Sequence, residues 1–222
     1  MRLGVLGTGM VGRTLAARWA ELGHEVTVGT RNPASQLARS DRAEAFSAWL
    51  AEHPGVRLAT FADAAASAEI VVNATAGGSS LDALALAGAE HLGGKILIDV
   101  ANALDPSRGM PPSLLVDSHE SLAERIQRAF PDARVVKTLN TLTAALMVDP
   151  GRLADGDHTV FVSGDDADAK AEVTRLLTEL GHRDVVDLGD ISTARGPELY
   201  LVLWLRLWGA LGTAVLNVRV VR

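Results

Sequence analysis

Leu3-Gly4-Val5-Leu6-Gly7-Thr8-Gly9-Met10-Val11-Gly12 joins a short apolar run to the pattern G-x-G-x-x-G at Gly7, Gly9 and Gly12. A brief apolar run that ends in glycines is what a buried parallel strand looks like in sequence. Beyond the glycines, Val11, Leu15, Trp19 and Leu22 recur at helical spacing, and Gly23 is a natural stop. Val26 and Val28 then form a second strand, so the first 28 residues read as strand, glycine turn, helix, strand. That is a right-handed βαβ unit.

The alternation continues outward from this unit. A helix over 43–50 carries Phe46 and Trp49, and a strand over 56–59 follows the Pro54-Gly55 turn. Thr60 and Asp63 cap a short helix, while Ile70, Val71 and Val72 make a fourth strand and Ile96, Leu97 and Ile98 a fifth. Between these two, Ser80 is placed to cap a helix bearing Leu81, Leu84 and Leu86. Residues 103–117, with three prolines, form a long loop of the kind that serves a site. Ser121 and Glu124 form a capping box, Val135 and Val136 a sixth strand, and Thr159–Ser163 a seventh. A helix with Val173, Leu176, Leu177 and Leu180 stops at Gly181, Val185 and Val186 extend, and an apolar helix over 193–211 precedes a last strand over 215–221. The reading is an α/β fold: a doubly wound parallel Rossmann sheet with a small C-terminal α/β extension, divided into residues 1–142 and 143–222.

Composition narrows the function classes. With 222 residues, 48% apolar and 22% charged, the chain has globular composition and length for one full core. Net charge is -6 and the 21 basic residues are scattered, so nucleic acid is not expected as a partner. Without cysteine, disulfides, thiolate catalysis and cysteine zinc sites drop out. The segment 199–218 is apolar, but Arg206 at its centre and Gly209 and Gly212 argue for a helix in a core or dimer interface rather than in a membrane. No secretory pattern is read at the N-terminus, and a cytoplasmic location is expected.

A glycine pattern between a strand and a helix brings backbone N–H groups and a helix N-terminus to one place, which suits a pyrophosphate. Gly7, Thr8, Gly9, Met10, Val11 and Gly12 are therefore dinucleotide-binding candidates. An NAD site places an acid about 20 residues further on for the ribose hydroxyls. Here no acid lies between Glu25 and Asp41, and Thr30, Arg31 and Asn32 offer a hydroxyl, a planar cation and an amide instead. That set suits a 2′-phosphate, so NADP(H) is expected in preference to NAD. Asn73, Ala74 and Thr75 end the fourth strand, Asp99, Ala101 and Asn102 follow the fifth, and Lys137 and Asn140 follow the sixth. Three neighbouring strand ends thus send polar groups to one edge, where open α/β sheets bind ligands.

The glycine pattern, the Gly29-Thr30-Arg31 turn, the stretches 99–102 and 135–140 and the closing Val218-Arg219-Val220-Val221 together resemble the coenzyme F420-dependent NADP oxidoreductases. The resemblance runs along nearly the whole chain. It implies hydride transfer between NADPH and the deazaflavin coenzyme F420, a small-molecule hydride acceptor, over a shallow C-terminal cleft. It also implies that residues 7–12 hold the pyrophosphate, Thr30, Arg31 and Asn32 the 2′-phosphate, Ala74 and Thr75 the ribose, and that Asn102 approaches the nicotinamide. Asn73 and Ala101 complete the cofactor set, and Lys137 and Asn140 are substrate-binding candidates. Such a transfer needs positioning more than a side-chain acid, so no catalytic residue is named.

The six histidines show no metal-binding spacing, and His24 and His182 read as surface residues after helix-ending glycines. Asp165, Asp166 and Asp168 lack the glycine and glutamate of a calcium loop and read as helix N-terminal charges. Leu201, Trp204, Leu205 and Trp208 form a stripe suited to a core or a homodimer interface, and Arg206 among them needs a partner. Two rival readings are an NADPH-dependent imine or pyrroline reductase and a non-catalytic NADP-binding sensor. Only about 70 residues follow Asp149, short for the helical domain of the first.

Overall fold

Runs of apolar residues too short for helices, and buried on both faces, become the central strands. In the computed structural model, which describes residues 1–39, 45–105, 107, 109 and 112–222, these runs alternate with helices. The N-terminal half comprises β1 (Arg2–Leu6), α1 (Met10–Glu21), β2 (Glu25–Thr30), α2 (Pro33–Ala38), α3 (Phe46–Glu52), β3 (Val56–Thr60), α4 (Phe61–Ser67), β4 (Ile70–Asn73), α5 (Ser80–Ala87), α6 (Ala89–Leu92) and β5 (Ile96–Asp99). The remainder comprises β6 (Leu104–Asp105), β7 (Ser113–Leu114), α7 (Leu122–Ala129), β8 (Arg134–Thr138), α8 (Ala144–Val148), β9 (Thr159–Ser163), α9 (Ala167–Glu179), β10 (Asp184–Asp187) and α10 (Arg195–Leu211).

The main sheet has the order β10-β9-β8-β5-β4-β1-β2-β3. From β3 to β8 all neighbours are parallel, the arrangement of a doubly wound nucleotide-binding sheet. β9 runs antiparallel to β8, and β10 runs parallel to β9, so the C-terminal extension lengthens the same sheet. Side chains alternate between two cores. Leu3, Val5, Ile70 and Val72 face α1, α3, α8 and α9 through Leu15, Trp49, Met147 and Val173. Leu6, Val71, Leu97 and Val135 face α4, α5, α6 and α7 through Ala64, Leu84, Leu92 and Ile126.

Local signals account for several element ends. Thr60 accepts the Asp63 N–H, Asp166 accepts the Ala169 N–H, and Ser121 and Glu124 form the reciprocal capping box. Other expectations change. The helix expected over 43–50 is observed as Phe46–Glu52, and residues 43 and 44 lie outside the described ones. Ser80 is the first residue of α5 rather than its cap, because its hydroxyl turns inward to Asn73. No strand forms over 215–221. β10 flanks β9 along its length and β8 takes the C-terminal end of the other side, so the tail gains one ladder-like contact at the start of β9, where the Thr159 N–H donates to the Val218 carbonyl at 2.9 Å, and is otherwise held by side chains, Asn217 on His158 and Arg219 on Asp157.

Candidate active site

The first βα turn is held by the sheet on both sides. The Gly7 N–H donates to the Gly29 carbonyl at 3.0 Å and the Ala74 N–H to the Leu6 carbonyl at 2.9 Å. Gly7 sits at φ +125°, a conformation that only glycine adopts without strain. A side chain at 12 would place its Cβ 2.1 Å from the Gly7 carbonyl oxygen, so α1 can start this close only with glycine there. At Gly9, which precedes α1, a Cβ would meet nothing within 4 Å. The ground before the helix N-terminus is therefore open, and no acid stands in the first turn of α1 to repel an anion.

This open ground continues into a cleft of about 560 Å³ that runs from Gly7, Thr8 and Gly9 to Thr30, Arg31 and Asn32. Ser35, Gln36 and Arg39 close its far end, and Phe61, Ala74, Thr75 and Ala76 its remaining wall. Among the described residues, two guanidinium side chains and no carboxylate line it. Asn32 accepts the Ser35 N–H at 3.0 Å and so caps α2, which fixes the turn bearing Arg31. A glycine cradle leading to an arginine pair fits a dinucleotide with an extra phosphate on its adenosine end.

The other strand ends hold a buried polar cluster. Asn73 Nδ2 donates to Asp99 Oδ1 at 2.8 Å and to Ser80 Oγ at 3.0 Å, while Thr75 Oγ1 donates to Asn73 Oδ1 at 2.7 Å. Lys137 Nζ reaches Asp99 Oδ2 at 2.8 Å, Glu198 Oε1 at 3.1 Å and the Ala101 carbonyl. Asp99 and Lys137 are 0% exposed and Glu198 is 2% exposed. Burial on its own would lower the Lys137 pKa, but Asp99 and Glu198 more than reverse this and hold it above the ordinary lysine value. Glu198 also accepts the Leu122 and Ala123 N–H groups at 2.7 and 3.1 Å, at the start of α7. Next to this cluster, Leu139 takes the left-handed φ of 59° and turns Asn140 back toward Asn102. Asn102 Nδ2 donates to the Asn140 carbonyl at 2.8 Å, and Asn140 Nδ2 donates to Asn102 Oδ1 at 3.1 Å and to the Pro197 carbonyl at 2.9 Å.

Eight of the residues singled out from the sequence share the cleft: Gly7, Thr8, Gly9, Thr30, Arg31, Asn32, Ala74 and Thr75. Gly12 is buried and packs on Gly7, while Met10, 75% exposed, faces a neighbouring groove with Thr14 and Ala145. Val11 packs against the core. Asn73, Ala101, Lys137 and Asn140 are buried, so the structure places them beneath the strand-end surface rather than on it. Lys137 and Asn140, the substrate-binding candidates, have polar groups engaged with the chain itself. Asn102 is half-buried at the same edge.

Sequence reasoning missed Ser35, Gln36 and Arg39, although Asn32-Pro33 is a readable helix start that carries them back over the cleft. It also missed Glu198, which nothing in the linear pattern connects to Lys137. His182, expected at the surface, is 3% exposed, and its Nε2 lies 3.0 Å from the Met147 carbonyl. Arg206, expected to need a partner, is exposed to solvent. Among the described residues no cluster suited to a metal is formed, and no helix is long and apolar enough to cross a membrane.

A doubly wound sheet with this glycine turn and this cleft at its switch point defines the dinucleotide-binding oxidoreductases. A family profile described as "NADP oxidoreductase coenzyme F420-dependent" matches residues 2–103. A crystal structure from Arthrobacter sp. FB24, provisionally described as an F420-dependent NADP-reductase, is 64% identical, covers 99% of each chain and superposes with a TM-score of 0.96. The F420-dependent NADP reductase of Methanothermobacter marburgensis is 28% identical over 213 residues, 93% of this chain and 92% of that one. The metalloreductase STEAP3 of Rattus norvegicus is 30% identical over 208 residues, but the chain spans only 38% of its length. The chain belongs to the coenzyme F420-dependent NADP oxidoreductase family.

Proposed function

We propose that this protein transfers a hydride between NADPH and a deazaflavin of the coenzyme F420 type. The observation that carries the reading is the continuous cleft from the Gly7-Thr8-Gly9 cradle to Arg31 and Arg39, with no carboxylate among the described residues that line it. When bound, NADPH supplies the hydride, and the acceptor gains that hydride together with a proton from solvent. The chain's own part is to bind and orient. The N–H groups at the start of α1 take the pyrophosphate, Thr30, Arg31 and Asn32 the 2′-phosphate, and Ala74 and Thr75 the ribose. Asn102, whose carbonyl accepts the Gly77 N–H one residue beyond the cleft-lining Ala76, approaches the nicotinamide.

Residues 1–142 form the cofactor half in this reading, and residues 143–222 flank the acceptor. The exposed Val202, Leu203, Trp208 and Leu211 on α10 support a homodimer built on that helix. A cytoplasmic location is part of this reading. The test follows NADPH oxidation by absorbance with F420, a flavin and a quinone offered in parallel. Turnover with F420 at the highest kcat/KM supports the assignment, and turnover with the flavin or quinone alone reassigns the acceptor.

A further inference from the structure

Three ionisable side chains from separate parts of the chain meet in the interior where no ligand reaches them. Asp99 ends β5, Lys137 lies in β8 and Glu198 lies in the first turn of α10. Two carboxylates around one ammonium leave a net negative charge in a medium of low dielectric, which is costly unless further donors face it. Donors do face it. The Leu122 and Ala123 N–H groups at the N-terminus of α7 point at Glu198, and the Ala101 N–H donates to Asp99 Oδ1 at 3.2 Å. Ala101 is gripped twice, since its carbonyl accepts from Lys137. The next residue, Asn102, accepts the Gly77 N–H at 3.1 Å through its carbonyl and is paired through its side chain with Asn140. The turn 101–102 is thus fixed by charge from below and by amides from the side.

We propose that Glu198 is a positioning residue: through Lys137 it clamps the Ala101-Asn102 turn, so the seating of α10 sets the geometry of the nicotinamide end of the cleft. The inference rests on the proposed function in one respect only, that the nicotinamide lies beside Asn102. Glu198 touches no substrate in this account. Its effect passes through the ammonium to a backbone turn, and a displacement of that turn by an ångström costs up to about 100-fold in rate. The adenosine end at Arg31 belongs to a different strand end and does not feel it.

The experiment compares the unaltered chain with Glu198→Gln, measuring NADPH affinity, kcat with F420, and backbone hydrogen exchange. The expected result is a fall in kcat of tenfold or more, NADPH affinity within threefold, and faster exchange at Ala101 and Gly77 as well as at Leu122 and Ala123. Faster exchange confined to Leu122 and Ala123, with kcat unchanged, would mean that Glu198 only secures α7, and the proposal falls. If the unaltered protein shows no F420 activity while exchange at Ala101 and Gly77 still responds to Glu198→Gln, the F420 assignment fails and the clamp stands. Should Glu198→Gln not fold, exchange in the unaltered chain decides. Protection of Ala101 and Gly77 comparable to β5 without cofactor supports the clamp, and exchange at loop rates overturns it.

Discussion

Gly12 and Gly7 are in backbone contact: the Cβ of any other residue at position 12 would fall 2.1 Å from the Gly7 carbonyl oxygen. A backbone atom cannot turn aside as a side-chain tip would, so Gly12→Ala must push α1 away from the glycine turn. Overpacking of this kind costs about 1–3 kcal/mol, or about 2–4 °C of Tm per kcal/mol for a chain of this size. The expected outcome is a lower Tm and NADPH affinity reduced at least tenfold. Thermal unfolding and fluorescence titration check it, and a variant that binds NADPH as the parent does refutes the close-packing argument.

Arg31 is exposed at the cleft, where its guanidinium is placed for a phosphate rather than a hydroxyl. Hydrogen bonds to a charged group contribute about 1.5–3 kcal/mol, so Arg31→Ala is expected to weaken NADPH by about 10–100-fold and leave NADH unchanged. Titration of both nucleotides against parent and variant measures it. Equal losses for NADPH and NADH would remove Arg31 from 2′-phosphate recognition.

Lys137→Met leaves Asp99 and Glu198 buried without their cation. Breaking a buried pair in this way costs about 3–5 kcal/mol, read as a lower midpoint in chemical denaturation. The sign with pH also follows. Because the folded Lys137 pKa is raised above 10.5, the contribution is complete below pH 10.5 and is lost as pH climbs through the folded value. A variant as stable as the parent near neutral pH contradicts the account.

His182 and His158 lie with ring centroids 6.3 Å apart, and each places its Nε2 on a carbonyl, that of Met147 and of Pro150 respectively. In each ring Nε2 therefore carries a proton, since a carbonyl can only accept. Burial, aided by the neighbouring His158 and opposed by the Met147 carbonyl, pushes the His182 pKa down from 6.5 to about 4. The unfolded chain takes up this proton first, so stability falls as pH drops from 6.5 toward 4, by about 3 kcal/mol from this group. Denaturation midpoints across that interval should lose most of this slope in His182→Phe. An unchanged slope would assign the acid sensitivity to other groups.

The linear pattern of residues was enough for the sheet and for the cradle. Apolar runs of strand length, the glycines at 7, 9 and 12 and the missing acid after Val28 are local facts, and strand, turn and helix are built from local chemistry. Only folding showed that Lys137 points inward, that Glu198 comes to it from 61 residues further along, and that Arg39 joins Arg31 across a helical turn. The tail over 215–221 shows the same limit, since its β-branched residues favour a strand but β9 had its neighbours already. Partners distant in sequence are chosen by packing and by the need of a buried charge for a counter-charge, and neither leaves a periodic mark on the chain.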